Sequence, residues 1–176
     1  LFYTAAGGVT RDINVAERRI VGNANPKFIV GWSNIFNYKN FDLSISLRGL
    51  YGNKVLNVTR MVFSNPQTLP TLNAMKDVLK EIDKGLTDSP KLSDYYLEDA
   101  SFIKIDNLTL GYNFKTAKIN WLKSLRVYIT SNNLLTLTKY SGLDPEMTYS
   151  GLEYGIEQYD IYPKTRTFTF GVDVKN

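Results

Sequence analysis

The chain has 176 residues, of which 43% are apolar, 22% charged and 13% aromatic, a balance that excludes disorder. It contains no Cys and no His, which excludes disulfides, thiolate metal sites, Cys nucleophiles and Ser-His-Asp chemistry within it. The net charge is +4 and the Lys and Arg residues are scattered, which argues against a nucleic-acid partner.

No apolar run reaches the roughly 18 residues of a spanning helix, so any membrane crossing is expected through strands. The chain begins at Leu1 without Met or a basic leader, so a mature or truncated product is expected. The first 22 residues carry little pattern, with a short extended piece predicted at Arg19–Val21. Segment 27–38 reads as a strand. Segment 41–55 is the clearest strand. Phe41, Leu43, Ile45, Leu47 and Tyr51 fall on one face, and Asp42, Ser44, Ser46 and Arg48 on the other. Only Lys39 and Asn40 join the two, which predicts a tight hairpin.

A long connection follows, roughly 57–100, broken by Pro66, Pro70 and Pro90. Within it Leu69, Leu72, Met75, Leu79 and Ile82 recur at helical spacing and predict a short amphipathic helix near 69–84. Segment 102–114 is strand again. Its period slips at Asp106, which predicts a bulge. A shorter connection, 115–124, leads to strand 125–137. A second long loop, 138–164, carries Tyr140, Tyr149, Tyr154, Tyr159 and Tyr162. The last strand, 165–175, alternates Phe168, Phe170, Val172 and Val174 with Thr167, Thr169, Gly171 and Asp173.

The connections run short, long, short, long. In an up-and-down antiparallel sheet this puts the short turns on one side and the long loops on the other, the asymmetry of bacterial outer-membrane barrels. Phe36, Tyr38, Phe41, Tyr112, Phe114 and Trp121 fall near the short turns and fit an aromatic girdle. The apolar faces would then meet lipid and the polar faces the lumen. A soluble β-sandwich is the competing architecture, because its strands alternate too. Five clear strands cannot close a membrane barrel, which takes at least about eight. The barrel reading therefore requires more chain than these residues supply.

Catalytic chemistry is sparse. Asp144 and Glu146 flank Pro145, but glycosidase carboxylates must face one cleft at a set separation, so a solvated loop turn is expected. Asp99 and Asp106 have no partner that sequence can place. Gly7-Gly8 and Gly49-x-x-Gly52 lack the pattern of a phosphate-cradling loop. The candidate binding residues are Tyr149, Tyr154 and Tyr159, whose rings could stack on sugars or pack on a partner protein. Packing of the loop on itself is the ordinary alternative. No cofactor is implied.

Four phrases resemble the SusC/RagA-type TonB-dependent outer-membrane transporters of Bacteroidetes, in that family's order and in its C-terminal part. They are GNANPKFIVGWSNIFNYKNFDLSISLRGLYGNKVLN at 22–57, YYLEDASFIKIDNLTLGYNF at 95–114, LRVYITSNNLLTLTKYSGLDPE at 125–146 and YPKTRTFTFGVDV at 162–174. The resemblance implies an all-β fold, in which residues 1–176 are C-terminal wall strands of a plugged barrel of about 22 strands with one short loop helix. It implies import of oligosaccharides, glycans or peptides, with a SusD-like surface lipoprotein over the mouth. TonB would act through a plug and TonB box not found in these residues.

Two departures from the family stand out. A terminal Phe is usual, and Asn176 stands at that parity here. A calcium-loop-like stretch is frequent ahead of the first phrase. Here Asp12, Asn14 and Glu17 lack the spaced Asp-x-Asn-x-Asp-Gly ligands, so no metal is predicted. A soluble carbohydrate-binding β-domain is the alternative function, and a carboxylate hydrolase ranks below both.

Overall fold

The computed structural model describes residues 1–69, 71–116, 121–146, 154–159 and 162–175. Its strands are β1 (Phe2–Tyr3), β2 (Val9–Thr10), β3 (Phe28–Tyr38), β4 (Phe41–Tyr51), β5 (Lys54–Asn57), β6 (Leu97–Asp99), β7 (Phe102–Phe114), β8 (Ser124–Thr138), β9 (Ile156–Glu157) and β10 (Thr167–Lys175). Two six-residue helices, α1 (Val58–Phe63) and α2 (Val78–Asp83), lie in the long connection between β5 and β6. The chain divides into two compact units.

The larger strands form one unit, an open antiparallel sheet in the order β10-β8-β7-β4-β3. Taken in chain order, β3, β4, β7, β8 and β10 each pair with the next strand of this sheet, as an up-and-down meander requires. The hairpin at Lys39-Asn40 closes as predicted, with Lys39 in the left-handed region (φ 55°). The predicted slip in β7 is a register shift between Ile105 and Asn107. It realigns both halves of the strand, so that Ile103 and Ile105 share a face with Leu108, Leu110, Tyr112 and Phe114.

The register gives the sheet two unlike faces. On one, Tyr38, Phe41 and Tyr112 lie in line, as do Phe36, Leu43, Leu110, Ile129 and Phe170. Asn34 and Ser131 interrupt it. On the other, Ser33 meets Ser46 at 2.9 Å and Thr109 meets Thr130 at 2.8 Å. In a water-soluble sheet the apolar face would be the buried one. Here Phe170 is 78% exposed, Val172 61% and Phe168 56%. The buried apolar residues of the whole chain, among those described, are only Val55, Val78, Ala100, Phe102, Leu122 and Tyr140.

The other unit is built around short elements. Strand β5 pairs antiparallel with β6 and parallel with β9, and β1 pairs with β2. The predicted strand 41–55 is thus two strands in two sheets, parted at Gly52-Asn53. The helical stripe from Leu69 to Ile82 is helical only in α2. Its residues stay largely exposed, Leu69 at 51% and Leu79 at 60%, so no core recruits the whole stripe into one helix. Asn57 caps α1 by accepting a hydrogen bond from the Arg60 amide. Arg19–Val21, predicted extended, is not in a strand.

Candidate functional site

The polar face of the sheet carries two charge clusters, one toward each end of the strands. Near the short turns, the Arg126 guanidinium donates to Asp42 through Nε at 3.0 Å and Nη2 at 2.6 Å, and to Asp173 through Nη1 at 3.1 Å. Asn113 Nδ2 donates to the same Asp42 carboxylate at 3.0 Å. The chain has to be narrow beneath this cluster. A Cβ at Gly111 would lie 2.5 Å from Asp42 Oδ2 and 2.6 Å from Arg126 Nη2, and one at Gly171 would collide with the Tyr128 ring. The two glycines are the register partners of Tyr128 on either side, and the Arg126 guanidinium stacks 4.7 Å from the centre of that ring.

The second cluster lies toward the other end of the strands. Arg48 of β4 and Lys104 of β7 are register partners, two cations directly opposite one another, a repulsive arrangement unless an anion is supplied. Three carboxylates supply it. Glu146 reaches Arg48 Nη1 at 2.6 Å with Oε1 and Lys104 Nζ at 2.5 Å with Oε2. Asp106, at the β7 bulge, pairs with Arg48 Nε at 3.0 Å, and Asp144 stands 3.5 Å from Lys104 Nζ. Lys164 adds a contact to Glu146 Oε2 at 3.1 Å. The side chains of Lys104, Asp144 and Glu146 are 2%, 8% and 9% exposed.

This arrangement corrects the expectation of a solvated turn at Asp144-Pro145-Glu146. The turn is buried, and both carboxylates converge on Lys104. The convergence does not favour hydrolysis. Burial alone would push the Glu146 carboxyl up, but hydrogen bonds from Lys104 and Lys164, and their charges, hold it below the usual value. A general acid needs the opposite shift. The sequence offered one signal for this cluster, the Asp106 bulge, but the pairing of Arg48 with Lys104 depends on the register that the bulge sets.

In the other unit, Arg60 is the hub. Its guanidinium lies 3.1 Å from Glu98 and 3.4 Å from Glu81 and stacks 4.8 Å from the centre of the Tyr95 ring. The Tyr95 hydroxyl donates to Glu81 at 2.6 Å, and Thr59 donates to the buried Glu157 at 2.6 Å. These contacts tie α1, α2 and β9 together. Of the predicted binding tyrosines, Tyr154 is 65% exposed. Tyr159 is 56% exposed and packs edge-on against Phe63 at 5.5 Å. Tyr149 lies outside the described residues, as does Asn176. Asp12 accepts from the Asn14 amide at 2.9 Å, a local turn, and no group of three or more His, Cys, Asp or Glu side chains suited to a metal occurs among the described residues.

No protein-family model matches the chain. TonB-dependent receptor P3 of Formosa agariphila is 30% identical over 178 residues, covering 93% of this chain and 18% of its own length. TonB-dependent receptor SusC of Bacteroides thetaiotaomicron is 35% identical over 161 residues, covering 84% of this chain and 15% of its own. Among solved structures, a chain of the RagAB peptide importer in its closed-closed state superposes with a TM-score of 0.77 at 28% identity, covering 98% of this chain and 20% of that one. The open-open state gives 0.78 at the same identity.

The chain is a SusC/RagA-like TonB-dependent receptor segment. It spans less than a fifth of the length of these curated relatives. The sheet of this receptor segment is open, five strands wide, and resembles part of a TonB-dependent barrel. Its relatives are named as receptors and importers, not enzymes. The two-faced sheet is the pattern of a barrel wall, with apolar residues outward and polar residues inward.

Proposed function

We propose that this segment supplies C-terminal wall strands and loops to an outer-membrane, TonB-dependent importer of oligosaccharides or peptides with a barrel of about 22 strands. In this reading a SusD-like lipoprotein covers the mouth and TonB engages a plug encoded elsewhere in the polypeptide. The observation that carries it is the exposed apolar face bounded by aromatic residues. At one end Phe41 and Tyr112 pack edge-on at 4.7 Å, with Phe114 4.8 Å from Tyr112. At the other, Phe28 and Tyr51 stack at 5.0 Å. From Phe28 to Tyr38 the strand runs about 33 Å at roughly 3.3 Å per residue. Tilted by roughly 40°, that length spans about 25 Å, the height of the apolar band in outer-membrane barrels.

The short turns then face the periplasm, and the 57–100 and 138–164 connections face outside. Tyr149, Tyr154 and Tyr159 are the loop rings offered to substrate or lid, and the exposure of Tyr154 supports its place in that set. A soluble carbohydrate-binding domain has nothing to cover the apolar face in water.

Fractionation of the native bacterium tests the reading. The full polypeptide should sediment with the outer membrane, migrate faster on gels when unboiled, and co-purify with a lipoprotein. Disruption of the gene should abolish uptake of a labelled peptide or oligosaccharide. Recovery in the soluble fraction would overturn it. Tyr154→Ala should weaken substrate binding by about tenfold or less, the worth of one aromatic contact.

A further inference from the structure

The Asp144-Pro145-Glu146 turn belongs to the connection that follows β8, yet both its carboxylates are spent on the polar face of the sheet. Arg48 and Lys104 are register partners on adjacent strands and would repel each other if left bare. Glu146 bridges them, one oxygen to each, at 2.6 Å and 2.5 Å. Asp144 backs Lys104, accepts from the Glu146 amide at 3.0 Å, and so fixes the turn that presents Glu146. Nothing in this cluster requires the carboxylate to be covalently part of the protein. Two apposed cations, one with its side chain 2% exposed, form a carboxylate site, and the chain fills it with its own side chain.

A cavity of about 300 Å³ opens beside it, lined by Lys104, Thr136, Asp144, Lys164 and Arg166 among others. Lys164 is half exposed and already touches Glu146. Incoming anions thus have a cationic approach to the carboxylate that holds the loop.

We propose that Asp144-Pro145-Glu146 is an ionic strap that fastens the connection after β8 to the polar wall, and that a solute carboxylate displaces Glu146 from Arg48 and Lys104 to release it. This deepens the importer reading and rests on it, because the polar wall is then the lumen. Release removes two negative charges from a wall sector carrying Arg48 and Lys104, so the freed sector attracts the anion that freed it. The exchange is one of ion pairs, with no covalent step.

The test uses the full-length protein in detergent, with fast migration of the unboiled sample as the check that the barrel is intact. Hydrogen exchange is followed in peptides covering 142–146. Glu146→Gln should raise exchange there at least tenfold and leave the β7 amides unchanged. If that variant fails to assemble, Glu146→Gln with Lys104→Met removes the buried cation that has lost its shortest ion pair and should show the same release. In the unsubstituted protein, N-acetyl-tetra-alanine with a free carboxylate should raise exchange at 142–146, and the same peptide as its amide, at equal ionic strength, should not. Exchange within twofold of the unsubstituted protein in an assembled Gln variant overturns the strap, and equal effects of acid and amide overturn the displacement. Lack of an intact barrel in the unsubstituted protein overturns the importer reading and the strap with it.

Discussion

Leu110 sits in β7 between Leu43 and Ile129 on the apolar face and is 44% exposed. If that face meets water, Leu110→Arg is a surface change, within about 0.5 kcal/mol of neutral. If it meets lipid, depth decides. Leu110 stands about 14 Å along the strand from the aromatic Phe114, at roughly 3.4 Å per residue. With a tilt of roughly 40° this puts it about 10 Å in, close to the middle of a band about 25 Å tall. Arg there costs about 2–4 kcal/mol, whereas Phe114→Arg, at the interface, costs about 1 kcal/mol or less for its charge. The folded-to-unfolded ratio should therefore fall by about 30- to 700-fold for Leu110→Arg. Thr109→Arg, one residue away on the polar face, loses the Thr130 contact and a longer one to Asn107 at 3.3 Å. The assay is urea unfolding of the full-length protein in lipid vesicles, followed by loss of fast gel migration. Equal destabilisation by Leu110→Arg and Thr109→Arg, or no depth dependence between positions 110 and 114, would refute the assignment of faces.

Three further outcomes follow from other contacts. Gly171→Ala drives a methyl into the Tyr128 ring and should destabilise the wall by about 1–3 kcal/mol in the same assay, and Tyr128→Ser in the same chain should recover most of the loss. Arg126→Met leaves Asp42 and Asp173 without their shared cation, and Asp42→Asn with Asp173→Asn should be more tolerable in that background than in the unsubstituted chain, as a double-mutant cycle would measure. The Glu146 carboxyl, held below its usual value of 4.5 by Lys104 and Lys164 and faced also by Arg48, Asp106 and Asp144, contributes stability that is complete above pH about 4.5 and lost as pH falls through its folded value. The difference in thermal midpoint between the unsubstituted protein and Glu146→Gln should be flat from about pH 5 to 7 and shrink at lower pH.

The period-two runs at 41–51, 102–114 and 167–175, with the two-residue hairpin and the alternation of connection lengths, determined an antiparallel wall with unlike faces from sequence alone. Side-chain parity is local, so it needs no partner strand to be read. Even the bulge was legible, because the slip at Asp106 breaks the parity of β7. Three things required the tertiary structure. Strand 41–55 divides between two sheets at Gly52-Asn53, because β5 finds its partners in β6 and β9, distant in sequence. The stripe from Leu69 to Ile82 became helix only at Val78–Asp83, since helical spacing yields a helix only where packing offsets the cost of ordering it. The Asp144-Pro145-Glu146 turn read as solvated because its cations stand about 40 and 100 residues upstream. Only the register that pairs Arg48 with Lys104 shows why two carboxylates are needed there.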